Sequence, residues 1–195
     1  MAPSEGGGHD EHALFERWAL VHKDHVYTAC LYLTRQREEA EDLFQDTYLR
    51  AFRFFHQFTP GTNCRAWLLT IMHNTFKNRS LQRLRAGRTP EFDSAAHEYE
   101  KKLFAEGEAG RDDPAEMVLS RIVDSEITAV LHTLPEEFRS TLLLVDIEDL
   151  TYEEAAAVLR CPIGTVRSRL SRARRLLQMA LSTYARKRGV NKSDS

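Results

Sequence analysis

Arginines and serines recur along residues 167–175 at a spacing suited to the edges of DNA bases. Plotted at about 100 degrees per residue, Ser168, Ser171, Arg172 and Arg175 fall on one side of a helix, with Arg167 and Arg174 at its edge. An arginine in such a strip can donate two hydrogen bonds to guanine O6 and N7, and serines are short enough to let the helix approach the groove. Val166, Leu170, Ala173 and Leu177 occupy the opposite stripe and are predicted to pack inward. A solvated basic face on a core helix is the plainer explanation of such a charge run. Against it stands the stretch 160–188, which holds nine Lys or Arg and no acid.

Two other constellations could act on a partner. Residues 58–65 (FTPGTNCR) run through Pro, Gly and Asn into a basic helix, an arrangement suited to holding an unstacked base beside charges that track phosphates. On a helix further upstream, Asp42, Gln45, Asp46 and Leu49 share a face that combines acids with an exposed leucine, as a docking surface for a basic helical partner would; an ordinary charged helix face is the alternative. Trp67 is expected to anchor the core rather than to stack on a base.

Catalytic and metal chemistry find little support. His9, Asp10, His12, His22 and His25 follow no recognised metal motif, and a metal-dependent hydrolase is the weaker reading of them. Cys30, Cys64 and Cys161 lack CxxC spacing and leave an odd one over, which indicates neither a disulfide framework nor zinc and fits a reducing cytoplasm. There is no Gly-rich phosphate loop and no nucleophile elbow. No enzyme, catalytic residue, metal or cofactor is therefore expected. The polar N-terminus has no apolar core of a signal peptide, and no run approaches the roughly 18 apolar residues of a membrane span. Neither secretion nor membrane insertion is expected.

Helices must position these groups. Thr151-Tyr152-Glu153-Glu154 matches a capping box, so a helix is predicted to start at Tyr152, meet the turn Arg160-Cys161-Pro162, and give way to a second helix over about 163–184. That is the layout of a helix-turn-helix, whose second helix enters the major groove. Upstream, helical spacing covers residues 12–36 in one or two pieces, then 38–57 with Ala40, Leu43, Thr47, Ala51 and Phe54 inward, then 65–85. After Pro114 a helix is predicted through Leu131, and Pro135 is placed at the favoured first position of the next. No β pattern of useful length appears.

The 195 residues suffice for two small helical units, and the formal net charge of -2 conceals strong segregation. Residues 65–88 hold six Lys or Arg and no acid, whereas 91–116 hold nine acids against Lys101, Lys102 and Arg111. Two basic blocks separated by an acidic one suggest two nucleic-acid-facing surfaces and a solvated connector. The expected organisation is all-α: a disordered tail over 1–11, a domain over 12–88, a flexible acidic linker over 89–116 with a short helix near 98–106, a domain over 117–185 and a tail over 186–195.

The stretches 150–156 (LTYEEAA) and 161–174 (CPIGTVRSRLSRAR) resemble region 4 of the extracytoplasmic function (ECF) sigma factors of RNA polymerase. Residues 40–51 (AEDLFQDTYLRA) resemble the region 2 helix of the same family that binds core polymerase, and residues 58–68 with Ile71 and Asn74 are similar to its promoter-melting segment. The resemblance spans most of the chain and leaves the tails and linker unmatched. It implies core RNA polymerase as partner, with Asp42, Gln45, Asp46 and Leu49 on the β′ clamp helices and further contacts to β. It implies capture of the minus 10 element by Thr62, Asn63, Arg65, Lys77, Arg79 and Arg83. Reading of the minus 35 element falls to Arg167, Ser168, Ser171, Arg172 and Arg175. An anti-sigma factor as inhibitor is implied as well. A repressor or activator that shares the helix-turn-helix but not the polymerase is the remaining alternative.

Overall fold

The computed structural model describes the backbone of residues 7–34, 36–86 and 125–187, and side chains over 12–34, 36–86 and 128–182. Among these residues every regular element is helical. The first unit contains α1 (Gly7–Ala19), a 3-10 turn (Leu20–His22), α2 (Lys23–Leu33), α3 (Arg37–Arg53), a second 3-10 turn (Phe55–Gln57) and α4 (Cys64–Arg85). The second contains α5 (Ser125–Leu131), α6 (Glu136–Leu142) running into a π turn (Leu143–Ile147), α7 (Tyr152–Leu159) and α8 (Ile163–Lys187). The short helix expected near 98–106, the connector and the C-terminal tail lie outside the described residues.

Several boundaries differ from expectation for identifiable reasons. The first helix starts at Gly7 rather than near His12. The added turn carries no apolar residue, so no periodicity could reveal it. The second predicted helix stops at Arg53, and Phe54 is its C-cap. Phe54 consequently leaves the 3.6-residue stripe and is 41% exposed, while Phe55 and Phe58 turn inward in its place. Pro135 sits at the N-cap of α6, one position earlier than predicted, with φ -52 and ψ 145.

The centre of the first unit is α4. Its buried residues Cys64, Leu68, Leu69, Met72, His73, Thr75 and Phe76 form a stripe wider than one helix face needs, because α4 is packed on both sides. On one side lie α1, α2 and α3; on the other lies α7 of the second unit. Buried hydroxyls are satisfied locally: Thr47 Oγ1 donates to the Leu43 carbonyl at 2.7 Å and Thr75 Oγ1 to Ile71 at 2.8 Å. An aromatic cluster closes the end near the loop. Phe58 lies 5.7 Å from Phe55 and 5.3 Å from Trp67, centroid to centroid, so the half-buried Trp67 anchors this cluster as expected. The Cys30 and Cys64 thiols are buried, and burial pushes them up to about 12 and about 11 respectively; Cys161 is half-buried.

In the second unit α8 packs against α5, α6 and α7. Val166, Leu170, Ala173, Leu176 and Leu177 are buried along its inner stripe. Removing such a leucine from water stabilises the unit by about 2 kcal/mol, so an aspartate at Leu170 would disrupt it. The π turn exposes no loose end, since the Glu148 N–H donates to Leu143 O at 2.9 Å and Leu150 N–H to Leu144 O at 3.0 Å.

Candidate nucleic-acid and polymerase interfaces

The helix-turn-helix is built from α7, residues 160–162 and α8. Thr151 Oγ1 accepts from the Glu154 N–H at 3.2 Å, and Glu154 Oε2 accepts from the Thr151 N–H at 2.9 Å, which completes the predicted capping box. The turn is a Schellman motif: the Cys161 N–H reaches Ala156 O at 3.1 Å and the Arg160 N–H reaches Ala157 O at 3.4 Å. Arg160 takes the left-handed position usually filled by glycine, with φ 52. Pro162 then ends the turn, and its carbonyl accepts from Thr165 and Val166 at the start of α8.

The outer strip of α8 presents Arg167, Ser168, Ser171 and Arg172 as exposed residues and Arg175 as half-buried. Arg167 lies over the Tyr152 ring, 5.7 Å from its centroid, so α7 steadies the first arginine of the strip. Ser168 Oγ donates back to Thr165 O at 3.0 Å, which keeps it short and close to the helix. Arg174 is drawn out of the strip. It grips Asp146 of the π turn with two bonds, of 3.0 and 2.8 Å, a fork geometry that locks α8 to the preceding segment. Arg169 is likewise bonded to Glu137 of α6.

In the first unit the loop after the aromatic cluster is shaped by Gly61, whose φ of 90 suits only a residue without Cβ. Thr62 Oγ1 donates to Thr59 O at 2.7 Å. Asn63 caps α4, its Oδ1 accepting from Ala66 N–H at 3.1 Å, while its Nδ2 donates to Glu154 Oε1 of α7 at 2.7 Å. Arg65 is half-buried and close enough to His22, Glu148 and Glu154 to shift their titration. Partial burial pushes Glu154 up, but bonds from Thr151 and Asn63 and the charge of Arg65 hold its carboxyl below the usual range. Lys77 is exposed.

Arg79 and Arg83, also assigned to DNA from sequence, are turned toward α3. Arg79 Nη2 reaches Asp46 Oδ2 at 2.6 Å and Asp42 O at 3.1 Å, and Arg83 Nη2 reaches Glu39 Oε1 at 2.9 Å. The proposed polymerase face and the basic helix therefore share an ion pair. On α3 itself Asp42 and Gln45 are exposed, Asp46 is half-buried, and Leu49 is 70% exposed. Phe52 and Phe54 are exposed as well; Phe52 was not singled out from sequence and Phe54 was expected to face inward, although three large apolar residues within six positions, straddling the end of a helix, were an available signal.

Two family models match: "Sigma-70 region 2" over residues 20–86 and "Sigma-70, region 4" over residues 124–177. RNA polymerase sigma-H factor of Pseudomonas aeruginosa is 31% identical over 175 residues, which is 88% of each chain. ECF RNA polymerase sigma factor EcfG of Rhodopseudomonas palustris is 36% identical over 149 residues, 76% of this chain and 75% of that one. A similar solved structure is the sigma factor RpoE of Bartonella quintana, crystallised with the anti-sigma factor NepR. It superposes with TM-score 0.63 at 29% identity, covering 86% of this chain and 96% of that one. With both sigma regions matched in order and relatives aligned over most of their length, the chain belongs to the ECF sigma factors, which direct RNA polymerase to particular promoters.

Proposed function

We propose that the chain docks on core RNA polymerase through the α3 face carrying Asp42, Gln45, Asp46 and Leu49, with the β′ clamp helices as its principal partner and β as a second. The observation that supports this most directly is Leu49, 70% exposed among acids on a well-formed helix. An apolar knob ringed by charge suits a partner helix that is basic and amphipathic. In this reading residues 12–88 form the region 2 domain and 117–185 the region 4 domain, and the chain works in the cytoplasm, where the polymerase is. Among the described residues no helix is long and apolar enough to cross a membrane.

Promoter recognition divides between the two units. Thr62, Asn63 and Arg65 hold the separated minus 10 strand, and Lys77, Arg79 and Arg83 follow its phosphates, the last two exchanging their carboxylate partners on α3 for phosphate. Arg167, Ser168, Ser171, Arg172 and Arg175 read the minus 35 element from the major groove. Control by an anti-sigma factor is supported by the similar RpoE, which was crystallised with NepR. Run-off transcription with purified core polymerase on a randomised promoter library tests the whole reading. Sequence-dependent initiation that requires this chain is the expected result. A chain that binds DNA but never associates with core polymerase would favour the repressor or activator alternative.

A further inference from the structure

A helix lying in the major groove meets base edges beneath its central strip and a phosphate backbone along each flank. On α8 the strip of Ser168, Ser171, Arg172 and Arg175 has an arginine on either side of it. At about 100 degrees per residue, Arg169 falls roughly 110 degrees to one side of the strip's centre and Arg174 roughly 110 degrees to the other. Both cations thus stand where phosphate walls would run, and both are turned to carboxylates of their own unit: Arg169 to Glu137 of α6, Arg174 to Asp146 of the π turn.

The two pairs are unequal. The Glu137 side chain is 47% exposed, and water screens its hold on Arg169. The Asp146 side chain is 4% exposed and accepts both bonds of the Arg174 fork, from Nε at 3.0 Å and from Nη2 at 2.8 Å. Asp146 also belongs to the only π turn among the described residues, a helical form that is frequent at functional sites. The fork fastens α8 to the segment before α7. An arginine put there for fastening carries a second effect, because without its carboxylate the same cation would add a phosphate contact that attracts every sequence alike.

We propose that Asp146 is a specificity-determining residue that touches no DNA: by keeping the Arg174 guanidinium off the phosphate backbone, it holds down the sequence-independent affinity of α8. This rests on the reading of α8 given above. In a matched complex the base contacts fix the helix, whereas on an unmatched sequence the helix is free to shift until a loose cation finds a phosphate. Releasing Arg174 therefore strengthens unmatched binding more than matched binding, and specificity is the difference between the two. Unmatched sites outnumber promoters so heavily that a small gain at each one dilutes the factor over the genome.

The test sets holoenzyme containing full-length Asp146→Asn against the parent on a promoter duplex and on the same duplex with only its minus 35 element scrambled, over a range of salt. Asparagine keeps the shape of aspartate and removes the charge. On the scrambled duplex the logarithmic salt slope should steepen by about 0.9, so the variant's gain in affinity should grow about threefold between about 200 and about 50 mM salt. The ratio of promoter to scrambled affinity should fall by at least about threefold at the lower salt. Asp146→Asn/Arg174→Gln, which has no cation to release, should return to the parental slope, and Asp146→Glu, which retains a carboxylate, should never leave it. An unchanged slope for Asp146→Asn, a steeper one that persists in the double variant, or a uniform weakening on both duplexes overturns the proposal; the last is what a purely structural lock would give. Parental holoenzyme that binds both duplexes alike would sink the reading of α8 and this proposal with it, whereas parental discrimination with an unmoved slope sinks the proposal alone.

Discussion

Acidification should loosen the fold through one residue in particular. His73 has its pKa pushed down to about 4, first by burial and then by the nearby charges of Lys77, Arg160 and Arg169. Exposed in the unfolded chain it would titrate near 6.5. The folded state therefore binds fewer protons, so stability is intact above about pH 6.5 and falls as the pH drops toward 4. Full protonation of the folded state would cost roughly 3 kcal/mol. At about pH 5.5 the unfolded histidine is protonated roughly ten to one while the buried one is not, which removes roughly 1 kcal/mol relative to about pH 7.5. Urea titrations followed by circular dichroism at both pH values measure this directly. His73→Met supplies the control: its side chain suits a buried site and does not titrate, and the other histidines contribute equally to both proteins. The parent should lose roughly 1 kcal/mol more than the variant over this interval. Equal losses in the two proteins would refute the assignment of a buried neutral imidazole at this position.

Three further outcomes follow from the geometry. Asp42→Lys should weaken holoenzyme assembly in a native-gel titration, and Asp46→Lys should do so while also releasing Arg79, so unchanged affinity in the double variant would remove α3 from the polymerase interface. Arg172→Ala should relax preference at one or two minus 35 positions by about 1–3 kcal/mol, whereas Arg175→Ala should weaken all promoters alike and lower the salt slope by about one; binding of single-base promoter variants at two salt concentrations distinguishes them. Arg160→Gly should raise the thermal midpoint, because relieving a left-handed residue at a helix end is worth about 1 kcal/mol, and a lowered midpoint would mean that the arginine side chain outweighs the backbone strain.

Local signals in the sequence were readable where a residue's neighbours along the chain decide its role. Thr151 and Glu154 cap α7 as their spacing predicts, and the inner stripe Val166, Leu170, Ala173 and Leu177 is buried because a 25-residue helix keeps its period. The exposure of Arg167, Ser168, Ser171 and Arg172 on the opposite side was legible for the same reason. Less was legible where distant partners decide. Arg79 and Arg83 read as free cations in a basic block, yet α3 supplies Asp46 and Glu39 from more than thirty positions away. Asn63 read as a turn residue with a possible ligand, and nothing in its surroundings announces Glu154, 91 positions on. Phe54 was misplaced by a simpler cause: a periodic stripe assumes that the helix continues, and this one ends at Arg53.

The three cysteines have a practical consequence. Burial keeps the Cys30 and Cys64 thiols protonated at neutral pH and out of reach of reagents, while Cys161 sits half-buried in the turn between α7 and α8. A thiol-reactive fluorophore added to the folded, unaltered chain should therefore attach at one position, beside the first turn of α8. Labelled this way, the native protein carries its own reporter at the helix-turn-helix, and the promoter contact proposed for α8 should register in its emission without any engineered handle.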